Sequence, residues 1–155
     1  MASLLSAYNI PLLSIPAYHI FSLLPHVYAM HLARGPLPLS TLDNSSPRSS
    51  SFRSHLQSSL PPHIFARWER AEAATANAHE TLPLYVAAVL AGLWAGVGHA
   101  ELMGFIKGWF GLRALHAVVY VTGGTQATGH LRTAVWWAGV GWLGRFFLNV
   151  ARVAA

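Results

Sequence analysis

Long apolar stretches separated by short polar ones dominate the chain and predict helices that cross a lipid bilayer. A bilayer core about 30 Å thick needs roughly 20 apolar residues in one helix. Pro11, Pro16 and Pro25 are expected to bend the first helix or to delay its start, because proline has no amide donor. The pattern predicts an all-α fold, an integral membrane four-helix transmembrane bundle. Four windows carry this prediction: residues 4–32, 82–99, 109–128 and 134–151.

The longest polar interval, residues 35–62, is rich in serine and proline and has little hydrophobic periodicity. That composition is typical of a flexible loop. The second window extends backward as a polar helical pattern that begins near Phe65. Because 155 residues match the size of one domain, we expect a single transmembrane domain over residues 1–155, with this loop after the first helix.

Composition supports the membrane interpretation. Hydrophobic residues make up 54% of the chain and charged residues 10%, against about 25% charged in a typical soluble domain. The net charge is +5, but the basic residues lie at the ends of the apolar windows, so they indicate topology and not a nucleic acid partner. The chain has no cysteine. Any thiol chemistry therefore needs a thiol from a co-substrate.

The positions of Lys and Arg predict the orientation in the membrane. The 35–62 loop and its flanks hold five arginines and the third-to-fourth turn holds Arg132, whereas the second-to-third turn holds Lys107. The positive-inside rule then places both termini in the lumen or exterior. The first run lacks a positively charged leader, which argues against a cleaved secretory signal. A glycan on Asn44, in the sequon Asn44-Ser45-Ser46, would overturn this topology.

Polar and ionisable residues share one helical face in two of the windows, as the rotation of about 100° per residue shows. Because an unpaired ionisable side chain is costly at membrane depth, such faces indicate a functional site. The second window carries Arg70, Asn77 and Glu80 on its face, and the third carries Arg113, His116 and Tyr120.

Antiparallel packing is expected to bring these faces together in the cytosolic half of the bundle, with Arg132 beside them and Arg113 nearer the other leaflet. A purely structural interpretation stays open. The arginines would then anchor helix ends at the membrane surface, and Asn77 and Glu80 would be hydrogen-bond partners between helices. Anchoring alone, however, does not require an amide and a carboxylate on the arginine face.

These spacings resemble the MAPEG superfamily, membrane-associated proteins in eicosanoid and glutathione metabolism. The third-window motif is most similar to that of microsomal prostaglandin E synthase and microsomal glutathione transferase. The resemblance implies a left-handed four-helix transmembrane bundle that forms a homotrimer in the endoplasmic reticulum. It rests on Glu69-Arg70, Asn77-x-x-Glu80-x-x-Pro83, Arg113-x-x-His116-x-x-x-Tyr120 and Arg132-Thr133.

The resemblance also implies glutathione as co-substrate, held between neighbouring subunits near the cytosolic side. Arg132, Thr133 and Tyr120 match the catalytic positions, with Arg132 stabilising the thiolate. Arginines suit the two carboxylates of glutathione, and Glu80 suits its ammonium group. Residues implied to bind the tripeptide are Arg34 (from the neighbouring subunit), Arg70, Asn77, Glu80, Arg113, His116 and Tyr120.

The implied function is that of a glutathione-dependent transferase or peroxidase acting on lipophilic electrophiles or lipid hydroperoxides. Ala73 and Ala76 stand where many members have further arginines, and Glu72 adds a negative charge. The alternative is therefore a non-catalytic lipid-binding or scaffold protein of the same fold. A transporter or channel is disfavoured, because no pair of broken half-helices converges at mid-membrane. No metal is expected, since the histidines lack the paired spacing of a di-iron site.

Overall fold

The protein is all-α. The computed structural model describes residues 8–35 and 45–155, and every regular element in these two stretches is a helix. The helices are α1 (Ile10–Ser22), α2 (Leu24–Arg34), α3 (Ser50–Ser59), α4 (Pro62–Trp94), α5 (His99–Thr122) and α6 (Gln126–Val153).

Two prolines set the boundaries of the first apolar segment. Helix α1 begins beside Pro11, where the Asn9 side chain accepts a hydrogen bond from the Leu12 amide (3.0 Å). A break at Leu23 separates α1 from α2, and Pro25 lies in the first turn of α2. Proline suits that turn because its missing amide has no helical acceptor there. The first window is thus interrupted at Leu23, whereas Pro16 lies inside α1, and residues 4–7 of the predicted window lie outside the described residues.

The long helices alternate in direction. His26 on α2 contacts Glu72 of α4, whereas Ser14, earlier on α1, contacts Tyr85 later on α4. Contacts between α4 and α5 and between α5 and α6 run in the same opposed order. The end of α2, the start of α4, the end of α5 and the start of α6 therefore lie together, and we name this region the polar end of the bundle.

Aromatic side chains fill the centre of the bundle. Tyr85 is fully buried, with its ring centroid 4.7 Å from that of Tyr18 and 5.9 Å from that of Trp109. Phe105 of α5 stacks on Phe146 of α6 at 4.0 Å between ring centroids. Such rings contribute much of the buried apolar surface and favour offset or edge contacts. This core joins α1, α4, α5 and α6.

A glycine allows α5 and α6 to approach closely. A Cβ atom added at Gly108 would lie 2.6 Å from the indole ring of Trp142, and the Trp142 Nε1–H donates to the carbonyl oxygen of Phe105 (3.1 Å). A small residue is therefore needed where this indole crosses α5. No such restriction applies at Gly104, one turn earlier, where an added Cβ meets no atom within 4 Å.

The predicted boundaries of the third window are wrong at both ends. Helix α5 starts at His99 and ends at Thr122, and α6 already begins at Gln126. The turn lies at residues 123–125, where Thr125 and Thr128 form a capping box that starts α6. Arg132 therefore belongs to α6 and not to a turn, and Lys107 lies on an exposed face of α5.

The end of the second window also differs from the prediction. Helix α4 runs from Pro62 to Trp94, so it starts slightly before Phe65 and ends before residue 99. Gly96 follows with a φ of +72°, in the left-handed region that favours glycine. The fourth window lies within α6.

The interpretation of residues 35–62 as one flexible loop is wrong for its second half. Ser50–Ser59 form α3, capped by the Ser49 side chain, which accepts from the Phe52 amide. Phe52 and Leu56, one turn apart, are buried against α2 and α4. Their contact with the bundle gives this serine-rich segment an apolar anchor. Residues 36–44, with the Asn44 of the sequon, lie outside the described part of the chain.

Two described segments, Ile10–Arg34 and His99–Thr122, are long and apolar enough to cross a membrane. Helices α4 and α6 have 33 and 28 residues, so their length suffices. Their composition is less apolar than that of the two spans, and α4 is rich in charge at its start. The fold class is confirmed as all-helical with two apolar spans.

Candidate functional site

A buried arginine links α5 to α4 near the polar end. Arg113 is 5% exposed, and its Nη2 donates to the Asn77 side-chain oxygen (2.7 Å) and to the Asn77 carbonyl oxygen (3.2 Å). The guanidinium also lies 5.8 Å from the Trp109 ring centroid. Its Nε is buried and has no hydrogen-bond partner among the described residues, so one guanidinium donor is left unsatisfied there.

This contact corrects the expectation that Arg113 lies nearer the other leaflet. The antiparallel order of α4 and α5 sets it opposite Asn77, and the next contact along the pair joins the Arg70 Nε to the Val121 carbonyl oxygen (3.2 Å). Helical periodicity gives the face of each residue, but it does not give the axial offset between two helices. That offset decides the pairing.

The stripe on α5 continues from the buried interior towards an open surface. His116 is 3% exposed, and its ring lies edge-on to the Tyr120 ring at 5.6 Å between centroids. Tyr120 is half-buried, and the guanidinium carbon of Arg132 lies 4.3 Å from its ring centroid. A cation over a phenol ring is attracted by the ring quadrupole. The Tyr120 ring therefore contacts both Arg132 and the buried His116.

An open cleft is formed where α3, α4, α5 and α6 meet. It has a volume of about 570 Å³, which lies within the range of about 300–1,000 Å³ usual for ligand pockets. A smaller depression of about 190 Å³ adjoins it and shares Arg70, Tyr120 and Arg132 with it. The cleft is lined by Arg53, Ala66, Trp68, Glu69, Arg70, Glu72, Ala73, Tyr120 and Arg132.

The predicted site residues thus fall into two neighbouring groups and a remainder. Arg70, Tyr120 and Arg132 line the cleft, whereas Arg113 and His116 are buried outside its lining, with half-buried Asn77 bonded to Arg113. The remainder is exposed. Glu80 lies one turn beyond Asn77 on α4, Thr133 donates to the Gly129 carbonyl oxygen (3.1 Å), and Arg34 ends α2.

Several residues around the cleft were not predicted from the sequence. Arg53 of α3 is paired with Glu69 of α4, and His26 Nδ1 lies 2.8 Å from Glu72. The four-residue spacing of Phe52 and Leu56 after a serine is a local signal for α3. No local signal exists for either ion pair, because the partners come from different helices.

Basic side chains in the cleft offer partners for the carboxylates of an anionic ligand. Three arginines line one cleft, where guanidinium groups match carboxylates with two parallel hydrogen bonds. Within the described stretches, no group of three or more His, Asp or Glu residues is placed to hold a metal ion.

The family model of the MAPEG family matches residues 17–151, which is most of the chain. The chain belongs to the MAPEG family. It is accordingly a membrane protein of the class concerned with glutathione and eicosanoid metabolism. No curated protein and no solved structure matches the chain. For this MAPEG protein, the specific activity therefore has to be argued from the cleft itself.

Proposed function

We propose that this MAPEG protein is a glutathione-dependent transferase or peroxidase that acts on lipophilic electrophiles or lipid hydroperoxides. One observation carries the proposal: Arg70, Tyr120 and Arg132, drawn from three helices, line one open cleft at the polar end. Two guanidinium groups on the wall of one cleft favour a ligand with negative charge, since each can pair with a carboxylate. Glutathione, with two carboxylates, supplies that charge and also the thiol that the chain lacks.

Glutathione would contact both groups of predicted residues, those that line the cleft and those that are buried on α4 and α5. Arg70 in the cleft and Arg113 in the interior would take carboxylate and carbonyl oxygens, and Glu80 would take the ammonium group. The remaining contacts are assigned to Asn77, His116 and Tyr120, with Arg34 contributed by a neighbouring subunit. The hydrogen bond between Arg113 and Asn77 orients both side chains before any ligand arrives, which lowers the ordering cost of binding.

Catalysis would depend on Arg132. The thiol of glutathione resembles that of cysteine, with a pKa near 8.5, so only a few per cent is thiolate at neutral pH. A guanidinium within hydrogen-bond reach favours the anion, and a pKa lowered by two units corresponds to about 2.7 kcal/mol. The contact between Arg132 and the Tyr120 ring supports this assignment, because it holds the guanidinium at the cleft. The hydroxyl groups of Tyr120 and Thr133 are the further candidates for donors to the sulfur.

The membrane arrangement belongs to the same proposal. We propose that α1–α2, α4, α5 and α6 form a four-helix transmembrane bundle, assembled as a homotrimer in the endoplasmic reticulum, with both termini lumenal. Large apolar side chains are exposed along these helices, for example Ile20, Val118, Trp137 and Leu148. Exposed apolar side chains of this kind suit lipid or a second subunit. A lipophilic substrate would then reach the cleft from the bilayer.

One observation favours a second candidate function, a non-catalytic lipid-binding or scaffold protein of the same fold. Residues 73 and 76 are alanines, so α4 offers few cations beyond Arg70 along this face. Two acidic residues, Glu69 and Glu72, line the same cleft. Their charge opposes the binding of an anion.

The two candidates are separated by glutathione titration and turnover with purified protein in detergent. We expect glutathione to bind by calorimetry and to react with a generic electrophile or with cumene hydroperoxide. Arg132→Ala should remove most of the turnover, whereas Arg152→Ala, at the opposite end of α6, should leave it unchanged. Binding without turnover would favour the scaffold function. No binding by the native protein would refute a glutathione enzyme.

A further inference from the structure

Helix α3 carries a third arginine to the rim of the cleft. Arg53 lines the same cleft as Arg70 and Arg132. Its Nε donates to Glu69 Oε1 (3.1 Å), and its Nη2 makes a second, shorter contact with the same oxygen. The guanidinium is thus held at the cleft by an acidic residue of α4.

The Arg53–Glu69 pair is weak enough to exchange. The two side chains are 64% and 34% exposed, and ion pairs at such exposure contribute little because water screens them. Both arginine contacts also fall on one carboxylate oxygen, so the pair lacks the two-oxygen geometry that makes arginine–carboxylate contacts strong. A ligand carboxylate in the cleft would therefore compete with Glu69 on favourable terms.

The backbone beneath Arg53 is held independently of that pair. Its neighbour Phe52 is 5% exposed and Leu56 is fully buried, both packed with Phe65 and Trp68 of α4. The Ser49 side chain caps the start of the helix. Arg53 can therefore change its partner while α3 keeps its place.

The α4 wall of the cleft leaves room for Arg53 to move from Glu69 to a ligand. Ala73, one turn beyond Arg70 on α4, has no side-chain atom beyond Cβ, and it lines the cleft together with Glu69. Helix α4 has no positive charge at position 73, and Arg53 of α3 supplies one at the same cleft.

We propose that Arg53 is a carboxylate-binding residue of the glutathione site and that it leaves Glu69 when the ligand binds. This inference rests on the proposed function, because it names a further residue of the same site. Helix α3, which lies between α2 and α4 in the sequence, would then be part of the binding site. Glu69 would act as an internal competitor that lowers the affinity for the anion.

The test is calorimetric titration of the full-length protein with glutathione. We expect Arg53→Ala to raise Kd about five- to tenfold, Arg53→Lys to raise it less, and Glu69→Gln to lower it about two- to threefold. Because the Glu69 charge also opposes the anion directly, Glu69→Gln should still lower Kd in the Arg53→Ala background, but by less than in the native protein. Arg48→Ala removes an exposed arginine of the same segment that does not line this cleft, and it should leave Kd unchanged.

The opposite changes in Kd expected for Arg53→Ala and Glu69→Gln distinguish ligand binding from a structural role. Arg53→Ala and Glu69→Gln break the same ion pair, so a merely structural pair would make both variants bind more weakly. That result, or an unchanged Kd in Arg53→Ala, would overturn the inference and leave the proposed function intact. Absence of glutathione binding by the native protein would instead overturn the proposed function, and the inference with it.

Discussion

The contact between Arg113 and Asn77 gives the sharpest test of how the interior of this protein is held together. Asn77→Ala would remove the side-chain oxygen that lies 2.7 Å from Arg113 Nη2. Arg113 is 5% exposed, so its guanidinium would stay buried. The remaining acceptor in the described structure would be the Asn77 carbonyl oxygen at 3.2 Å. Arg113→Met would remove the charge and keep much of the side-chain volume. The first variant should therefore be the more destabilised of the two.

The magnitude follows from the charge on the donor. Hydrogen bonds to charged groups contribute about 1.5–3 kcal/mol, whereas side-chain hydrogen bonds between helices in a membrane average about 0.6 kcal/mol. Because the carbonyl contact survives in Asn77→Ala, we expect a coupling energy near the lower end of the first range, about 1.5 kcal/mol. The double variant should be less destabilised than the sum of the two single variants.

The assay is reversible unfolding by dodecyl sulfate in mixed micelles, with the four free energies of unfolding combined in a double-mutant cycle. Glu80→Ala, one turn away on the exposed part of α4, serves as the control partner and should show coupling near zero with Arg113→Met. A coupling energy for Asn77 and Arg113 of about 0.6 kcal/mol or less would refute the argument that the buried charge makes this contact unusually strong.

Three further predictions concern packing and the cleft. Gly108→Ala should destabilise the protein by about 1–3 kcal/mol, because the new Cβ would lie 2.6 Å from the Trp142 ring; Gly104→Ala should be neutral or slightly stabilising in the same unfolding assay, and equal effects would contradict this packing. Tyr120→Leu should lower turnover more than Tyr120→Phe, because phenylalanine keeps a ring under Arg132; steady-state kinetics with glutathione decide it, and the reverse order would assign the main role to the phenol hydroxyl. Glu72→Gln should change the free energy of unfolding by less than about 1 kcal/mol, because the His26–Glu72 pair is 44% and 32% exposed; a larger loss would mean that this pair anchors α2.

The sequence by itself determined the helical class, the faces and the family. Hydrophobic windows with few charges predict long helices, and the helical fold, with two segments apolar enough to cross a membrane, confirms the class but not every boundary. The rotation of about 100° per residue placed His116 and Tyr120 on one stripe, and their rings are in contact. Membership of the MAPEG family was also within reach of the motifs alone, and the family match confirms it.

Two local features were present in the sequence but were not decisive there. Gly123 and Gly124 precede Thr125, which is the pattern of a turn followed by a helix cap. An apolar window of fixed length nevertheless extends through this turn, because a few polar residues barely change the mean hydropathy of the window. Helix α3 was missed for a similar reason. Two apolar residues one turn apart are a weak helical signal, and their packing against α4 is visible only in the folded protein.

Only the tertiary structure decided which residues meet. Periodicity fixes the angle of a side chain around its own helix, but the offset of one helix along another depends on how both surfaces pack. That offset brought Arg113 to Asn77 and Arg132 to Tyr120. The docking of α3 likewise set Arg53 beside Glu69 at the rim of the cleft. These contacts join residues far apart in the chain, so no local pattern encodes them.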